Sequence, residues 1–537
     1  MFKQNFLLPF HLAAITALLA GCTNIQAASL WGVPITATPQ LSPTTLLEQP
    51  APSETPTQTA LLRATATKIV TITPMVSLPL EMTLSTIQTT PLATLPPINT
   101  GGPMDSYFTQ SGDTLEVMER KFDVPYTLFQ SPVVLPTPNA LLSPGTLILI
   151  PRRDEIVERT PGEMLIPDSD FIYGPSSIDF NAADYINSKN GALKTYREYI
   201  ISGGWLTGPM AIQRIADENS LSPRLLLAVT EYESHWVLGE PQNYSEEDYP
   251  LGYKDFLYRK LFRQLMWASG ELSKGYYGWR SGALKELVFT DGSKIRLNPM
   301  LNAGTAAIQY YFSLNHTKAE WEQAVSADGF FALYTQMFGD PQIRASKYEP
   351  TIPAGLTQPT LTLPYEKNKL WAFTSGPHSA WEKEGALAAL DFAPGMNETG
   401  CIQTDAWVLS PASGVVVRVD KGVVVLDLDG DGIEQTGWDL LFLHIATEGK
   451  VKIGDVLKQD DKIGHPSCEG GVSTGTHLHF ARKFNGEWIL ADGPVPFDLD
   501  GWIAHNGPTP YKGSLTRGDK VITSCSCSDH TTTIIRE

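Results

Sequence analysis

His477 and His479 are separated by one residue in the run Gly475-Thr476-His477-Leu478-His479-Phe480. In an extended strand side chains alternate between faces, so both imidazoles point to the same side. Two such rings can meet one metal ion, or one can bind it while the other works beside it. Upstream, His378 lies in the loop-like run Gly376-Pro377-His378-Ser379-Ala380-Trp381. Asp391 lies in Ala389-Leu390-Asp391-Phe392-Ala393, a short apolar run that reads as a strand. Two histidines and one carboxylate suit Zn2+. Three protein ligands leave its fourth position open for water, which is the catalytic rather than the structural pattern. The competing reading is a cross-strand histidine pair with no metal.

The stretch from Trp371 to about Trp488 resembles the lysostaphin-like zinc endopeptidases that cut peptidoglycan peptides, the M23 family. The resemblance rests on Gly376-Pro377-His378, Leu390-Asp391-Phe392, Ser410-Pro411-Ala412-Ser413-Gly414-Val415-Val416, Leu443-His444 and Gly475-Thr476-His477-Leu478-His479. Asp391 follows His378 by thirteen positions. That spacing is longer than the commoner pattern and is similar to the staphylolysin and beta-lytic branch. The resemblance implies His378, Asp391 and His479 as ligands of a Zn2+ cofactor. It implies His444 and His477 as active-site histidines that do not bind the metal. A Tyr often precedes the first of these in the family; here it is Leu443. All five positions are filled, whereas relatives that serve only as adaptors typically lack ligands.

The residue types fit amide hydrolysis. An amide is a poor electrophile and water a poor nucleophile; zinc polarises the carbonyl and lowers the pKa of its water toward about 7. A neutral imidazole can take the water's proton and later deliver one to the leaving amine. A second can donate a hydrogen bond to the developing oxyanion. The sequence leaves open which of His444 and His477 is the base.

Elements elsewhere must position this site. A chain of 537 residues suggests three or four units. Its net charge of −18 argues against a nucleic-acid partner. Lys3 followed by the apolar run Phe6 to Ala20 reads as an export signal, too short for a comfortable membrane span. It ends in Leu19-Ala20-Gly21-Cys22, which resembles a bacterial lipobox and implies lipidation at Cys22 and a membrane anchor. Export to an oxidising compartment makes disulfides available to the remaining cysteines, Cys401, Cys468, Cys525 and Cys527. A Cys401–Cys468 bridge would pin the loop entering the strand of His477. Cys525-Ser526-Cys527 could form a bridge, bind metal or do neither.

From Ala27 to Thr100 the chain is rich in Thr, Pro, Ser and Ala. Such a stretch cannot bury enough apolar area to offset its ordering entropy, and reads as an extended tether. In Asp105–Arg152, Ser111-Gly112-Asp113-Thr114 caps a short amphipathic helix between two strands, and the unit ends in Leu147-Ile148-Leu149-Ile150-Pro151. This resembles a LysM module, a βααβ unit that binds N-acetylglucosamine-containing glycans. The resemblance implies binding through Gly112, Asp113, Thr114 and the loop around Leu142.

Residues 166–350 read as mostly helical. Ser222-Pro223 starts a helix that runs to Glu233-Ser234, with Pro in its first turn. The helix resembles that of lysozyme-like lytic transglycosylases, as does Asn302-Ala303-Gly304-Thr305. The resemblance places the general acid/base at Glu233. The partner motifs of that superfamily are not evident, so a glycan-binding or spacer domain with Glu233 merely capping or pairing is the competing reading. Asp427-Leu428-Asp429-Gly430-Asp431-Gly432 looks like the start of a calcium loop. An EF-hand needs an acid at the twelfth position, where Trp438 stands, so a hairpin turn is the expectation.

The expected protein is a multidomain α+β chain: leader 1–22, tether 23–104, LysM 105–153, helical lysozyme-like domain 166–350, β-rich antiparallel M23 domain 365–510 and tail 511–537. The expected function is a peptidoglycan-binding zinc endopeptidase anchored in the cell envelope. The alternatives are a wall-tethered adaptor of a partner amidase, and a dual peptidase and transglycosylase.

Overall fold

The computed structural model describes residues 102–152, 158–201, 203–381, 383–395, 399–527 and 529–537. The leader with Cys22 and the tether up to residue 101 lie outside them. No helix among the described residues is long and apolar enough to cross a membrane.

In the first module, strand Met104–Phe108 pairs antiparallel with Leu147–Pro151. Between them lies helix Leu115–Phe122, whose N-cap Thr114 accepts from the Val117 amide. The expected second helix is only a 3-10 turn, Tyr126–Leu128. Pro125, Pro132, Pro136, Pro138 and Pro144 explain this, since each removes a backbone donor and disfavours helix before it. Tyr107, Met118, Phe122, Ile148 and Ile150 form the module's core.

The middle of the chain is helical, as expected. Its long elements are Gly208–Asn219, Pro223–Ser234, Leu261–Arg280 and Ala303–Asn315. The last two pack closely at Gly275, where a Cβ would lie 2.9 Å from Ala307 Cα.

The C-terminal part is built on a nine-stranded sheet. Its order is Val456–Leu457, Gly414–Asp420, Gly422–Asp427, Trp438–Ile445, Leu478–Phe484, Leu387–Pro394, Leu370–Ser379 and Thr533–Ile535, each antiparallel to its neighbours. Glu487–Trp488 pairs with Leu478–Phe484 off this path. Both faces are buried, so the central strands read as continuous apolar runs rather than alternating ones. Val424, Leu426, Leu440 and Phe442 enter one core. Val423, Val425, Leu441, Leu443 and Ala481 enter the core of the helical domain.

The final residues are not a tail. Gly513–Arg517 and Lys520–Thr523 form a hairpin, and Thr533–Ile535 closes the sheet edge against Leu370–Ala372. Arg536 is buried and pairs with Asp500 at 3.7 Å. The alternation of Ser514-Leu515-Thr516 and the apolar Ile534 carry this packing, which the short polar runs around them obscured.

The three folded parts meet around Arg280. Its guanidinium pairs with Glu487 at 2.9 Å and Asp168 at 3.1 Å, and donates to Thr351 Oγ1 at 3.3 Å. Thr351 in turn bonds Ser111 of the first module at 3.0 Å.

Candidate active site

Sheet register assembles the site. Leu443 lies opposite His479, and His479 opposite Asp391. Cross-strand partners share a face, so these three form one row. Leu443 is therefore committed to the interdomain core; no phenol is available from that position.

Nε2 of His378, Nδ1 of His479 and Oδ1 of Asp391 converge. The two nitrogens are 3.0 Å apart, and each lies 3.3 Å from the Asp391 oxygen. The opposite nitrogens are committed to backbone carbonyls: His378 Nδ1 donates to Gly376 O at 2.8 Å and His479 Nε2 to Ala380 O at 3.0 Å. That fixes the tautomers. Two lone pairs then face each other beside a buried carboxylate oxygen that has no hydrogen-bond partner. Lone pairs so placed repel unless a cation lies between them. A tetrahedral zinc with bonds of about 2.0–2.2 Å has ligands about 3.3–3.6 Å apart, so the donors fit that ion's coordination sphere with little adjustment.

The electrostatics agree. Burial works against an ionised Asp391, yet His378 and His477 hold its carboxyl well below the usual carboxylate range. Burial pulls His378 down, but Asp391 and the Gly376 carbonyl leave it above its ordinary value. His479 is held below its ordinary value, chiefly by burial.

The two remaining imidazoles lie beside this cluster. The rings of His444 and His477 are 4.5 Å apart, and His477 Nε2 is 3.7 Å from Asp391 Oδ2. His444 sits at the bulged end of its strand with a φ of 66°. A left-handed non-glycine residue is uncommon; it is held there by Ser467 N, which donates to His444 O at 2.6 Å, and by Glu469 O, which accepts from His444 Nδ1 at 2.8 Å. Burial first, then the neighbouring His477 and His479, pushes His444 down to about 3. His477 Nδ1 donates to Gly475 O at 2.7 Å, which leaves its Nε2 facing the site.

Cys401 and Cys468 are bonded across a sequence separation of 67. Cys525 and Cys527 are also bonded to each other, away from any metal-ligand role. Tyr511 is a site residue that sequence reading missed. Its ring stacks on His378 with centroids 4.5 Å apart. Only the closed C-terminal hairpin brings it there, so no local signal marked it.

Glu233 is not in this site. It ends helix Pro223–Ser234 and pairs with His316 Nε2 at 3.2 Å, its side chain nearly buried. A Cβ at Gly252 would lie 2.7 Å from its Oε2. It is packed and paired with His316.

The expected sugar-contacting residues also make contacts within the fold. Asp113 accepts from Tyr107 OH at 2.6 Å, Gln110 N at 2.7 Å and Lys121 Nζ at 3.1 Å. Thr114 caps the helix and Leu142 is buried. Gly112 lies against Arg280, where a Cβ would sit 3.0 Å from its Nη1. Docking on the helical domain covers the loop.

The site can thus hold one divalent ion and move protons beside it. Residues 164–351, the helical domain, match the family described as LasA, N-terminal domain. The chain is 24% identical to Protease LasA of Pseudomonas aeruginosa strain UCBPP-PA14 over 347 residues, 61% of this chain and 75% of that protein. The same named protease from strain PAO1 is 24% identical over 349 residues, again 61% and 75% of the two chains. Among solved structures, the M23 metalloprotease pseudoalterin from the deep sea is 20% identical, covering 32% of this chain and 96% of its own, with a TM-score of 0.26. The lysostaphin catalytic domain of Staphylococcus simulans is 24% identical, covering 23% and 90%, with a TM-score of 0.17. The similarity to the two proteins named Protease LasA supports a peptidase.

Proposed function

We propose that this chain is an M23-type zinc metalloendopeptidase that hydrolyses cell-wall stem or cross-bridge peptides outside the cytoplasm. One observation carries the reading: three donor atoms converge with their lone pairs unspent, beside two more imidazoles. His378, Asp391 and His479 would hold the zinc. When bound, it would polarise the scissile carbonyl and acidify the attacking water.

The chain's own residues do the rest. His477 spends its Nδ1 proton on Gly475 O, so its Nε2 is free to take a proton from water. The cation formed there faces Asp391 Oδ2 at 3.7 Å, which favours the transfer. The same nitrogen then returns the proton to the leaving amine. His444 is held uncharged by its burial, so it orients polar groups without adding a second positive charge. Tyr511 covers the outer face of His378 and limits its rotation.

The wall as substrate and partner is inferred from the M23 and LysM resemblances in the sequence. Sugar contact through the Gly112 loop would require the module to lift off Arg280. A lipid anchor at Cys22 belongs to the same proposal. A dual transglycosylase role loses support because Glu233 is paired with His316. Digestion of purified sacculi, followed by mass spectrometry, tests the proposal. New amino termini on peptide fragments are expected. Anhydro-sugars with intact peptides, or no release at all, would overturn it.

A further inference from the structure

At the other end of the same sheet face, away from the histidines, lies a second group of carboxylates. The hairpin from strand Gly422–Asp427 to strand Trp438–Ile445 carries Asp427, Asp429 and Asp431. Their carboxylate oxygens approach within 4.8 Å of one another. Asp427 is buried, and its Oδ1 accepts from the amides of Asp429 and Gly430. Its Oδ2 accepts from Gly432 N at 2.8 Å, and Asp429 shares a side-chain hydrogen bond with Asp427. Gly437 gives Asp429 its room, since a Cβ there would overlap the carboxylate.

Hydrogen bonds of this kind also occur in ordinary acidic turns. The independent observation is Asp439. It is fully buried (0% exposed), and neither carboxylate oxygen has a hydrogen-bond partner. It lies directly opposite Asp427 in the register, so the two side chains share a face about 5 Å apart at Cβ. On its other side the register partner is Lys483, whose ammonium is committed to Glu434. Glu434 also holds Arg418, at 2.7 Å. The two cations facing this region are therefore already paired. Burying a carboxylate with no partner costs several kcal/mol. An EF-hand would close with an acid at its twelfth position, occupied here by Trp438. Because this chain returns as a strand, the next residue, Asp439, instead buries an unpartnered carboxylate beside Asp427.

We propose that Asp427, Asp429 and Asp431, backed by the buried carboxylate of Asp439, form a second metal site, for a hard divalent cation of the calcium class. Oxygen donors alone, three of them anionic, select such an ion over zinc. Burial, with Glu434 and Asp427 adding to it against Lys483, keeps Asp439 well above the usual carboxylate range, so a proton takes the cation's place in its absence. The site is structural: it closes the hairpin whose second strand leads to His444. Nearby, Arg418 donates to Asp217 O of the helical domain at 3.3 Å, so the same end of the sheet is the domain junction.

The test is calorimetric titration of calcium into the zinc-loaded full chain, paired with thermal unfolding in calcium, magnesium or neither. One equivalent of calcium is expected, with a Kd of about 10⁻⁴ to 10⁻³ M, the range for extracellular modules, and a Tm that rises until the site saturates. Magnesium should bind at least tenfold more weakly. Asp429→Asn with Asp431→Asn, both exposed, should fold and weaken calcium at least tenfold. Asp439→Asn should raise the Tm without calcium and shrink the further rise with it. No saturable heat at millimolar calcium, or calcium binding unchanged in the Asp429→Asn/Asp431→Asn protein, would overturn the proposal. Should Asp439→Asn fail to fold, the exposed pair still decides it.

Discussion

Replacing Cys401 and Cys468 together by Ser should separate metal binding from catalysis. The bridge closes a separation of 67 residues. The chain-entropy relation gives about 4 kcal/mol for a loop of that size, and native bridges usually contribute about 2–4 kcal/mol. Its local effect is more specific. Cys468 lies between Ser467 and Glu469, which bond the His444 carbonyl and ring. Cys401 lies between Gly400 and Ile402. Thr476 N donates to Gly400 O at 3.0 Å and Thr476 Oγ1 to Ile402 O at 2.6 Å, just before His477. The bridge thus ties together the two segments that aim the non-ligand histidines. The ligands depend instead on sheet register and on the carbonyls of Gly376 and Ala380. The double variant should keep its zinc, lose roughly 2–4 kcal/mol in urea unfolding, and lose about 10- to 100-fold in kcat, since small misplacement of a catalytic group costs that much. Elemental analysis, unfolding and turnover on one preparation decide it. Zinc lost with the bridge, or kcat unchanged without it, would refute the reasoning.

Arg280→Ala leaves Glu487 and Asp168 buried and unpaired, and should cost about 3–5 kcal/mol in chemical denaturation. It should also expose the Gly112 loop, read as faster amide exchange at Ser111–Thr114. Glu233→Gln should leave peptide cleavage unchanged and abolish no glycan-strand product; an anhydro-sugar product that vanishes in this variant would restore Glu233 as a catalytic residue. In metal-free protein His444 titrates near 3 when folded and near 6.5 when unfolded. The unfolded chain therefore binds the extra proton, and this group's contribution is complete above pH 6.5 and falls away toward pH 3. Between pH 7 and 5 the metal-free wild type should lose about 2 kcal/mol more than His444→Gln; equal losses would contradict the buried, uncharged ring.

The cluster of His378, Asp391 and His479 was legible because its chemistry is local in type. Few residues bind zinc, and the strand period alone aligns His477 with His479. The cysteine pairing was legible from export and parity. What was not legible depends on tertiary docking. The Gly112 loop reads as a binding loop until Arg280 and Thr351 cover it. Glu233 reads as an acid until His316, far along the chain, pairs with it. Tyr511 joins the site because its backbone bonds Gly376 and Pro377, far along the chain, just before His378. Asp439 is one more polar residue in an apolar strand until the register sets it opposite Asp427.

The most direct measurement is zinc content per chain, by elemental analysis, in the wild type and in His479→Ala and His477→Ala. One zinc is expected in the wild type and in His477→Ala, the latter with turnover reduced by about 10² or more. His479→Ala should fold and hold none. Zinc retained in His479→Ala and lost from His477→Ala would contradict the assignment of ligand and proton carrier within the pair. Zinc absent from the wild type would contradict the account itself.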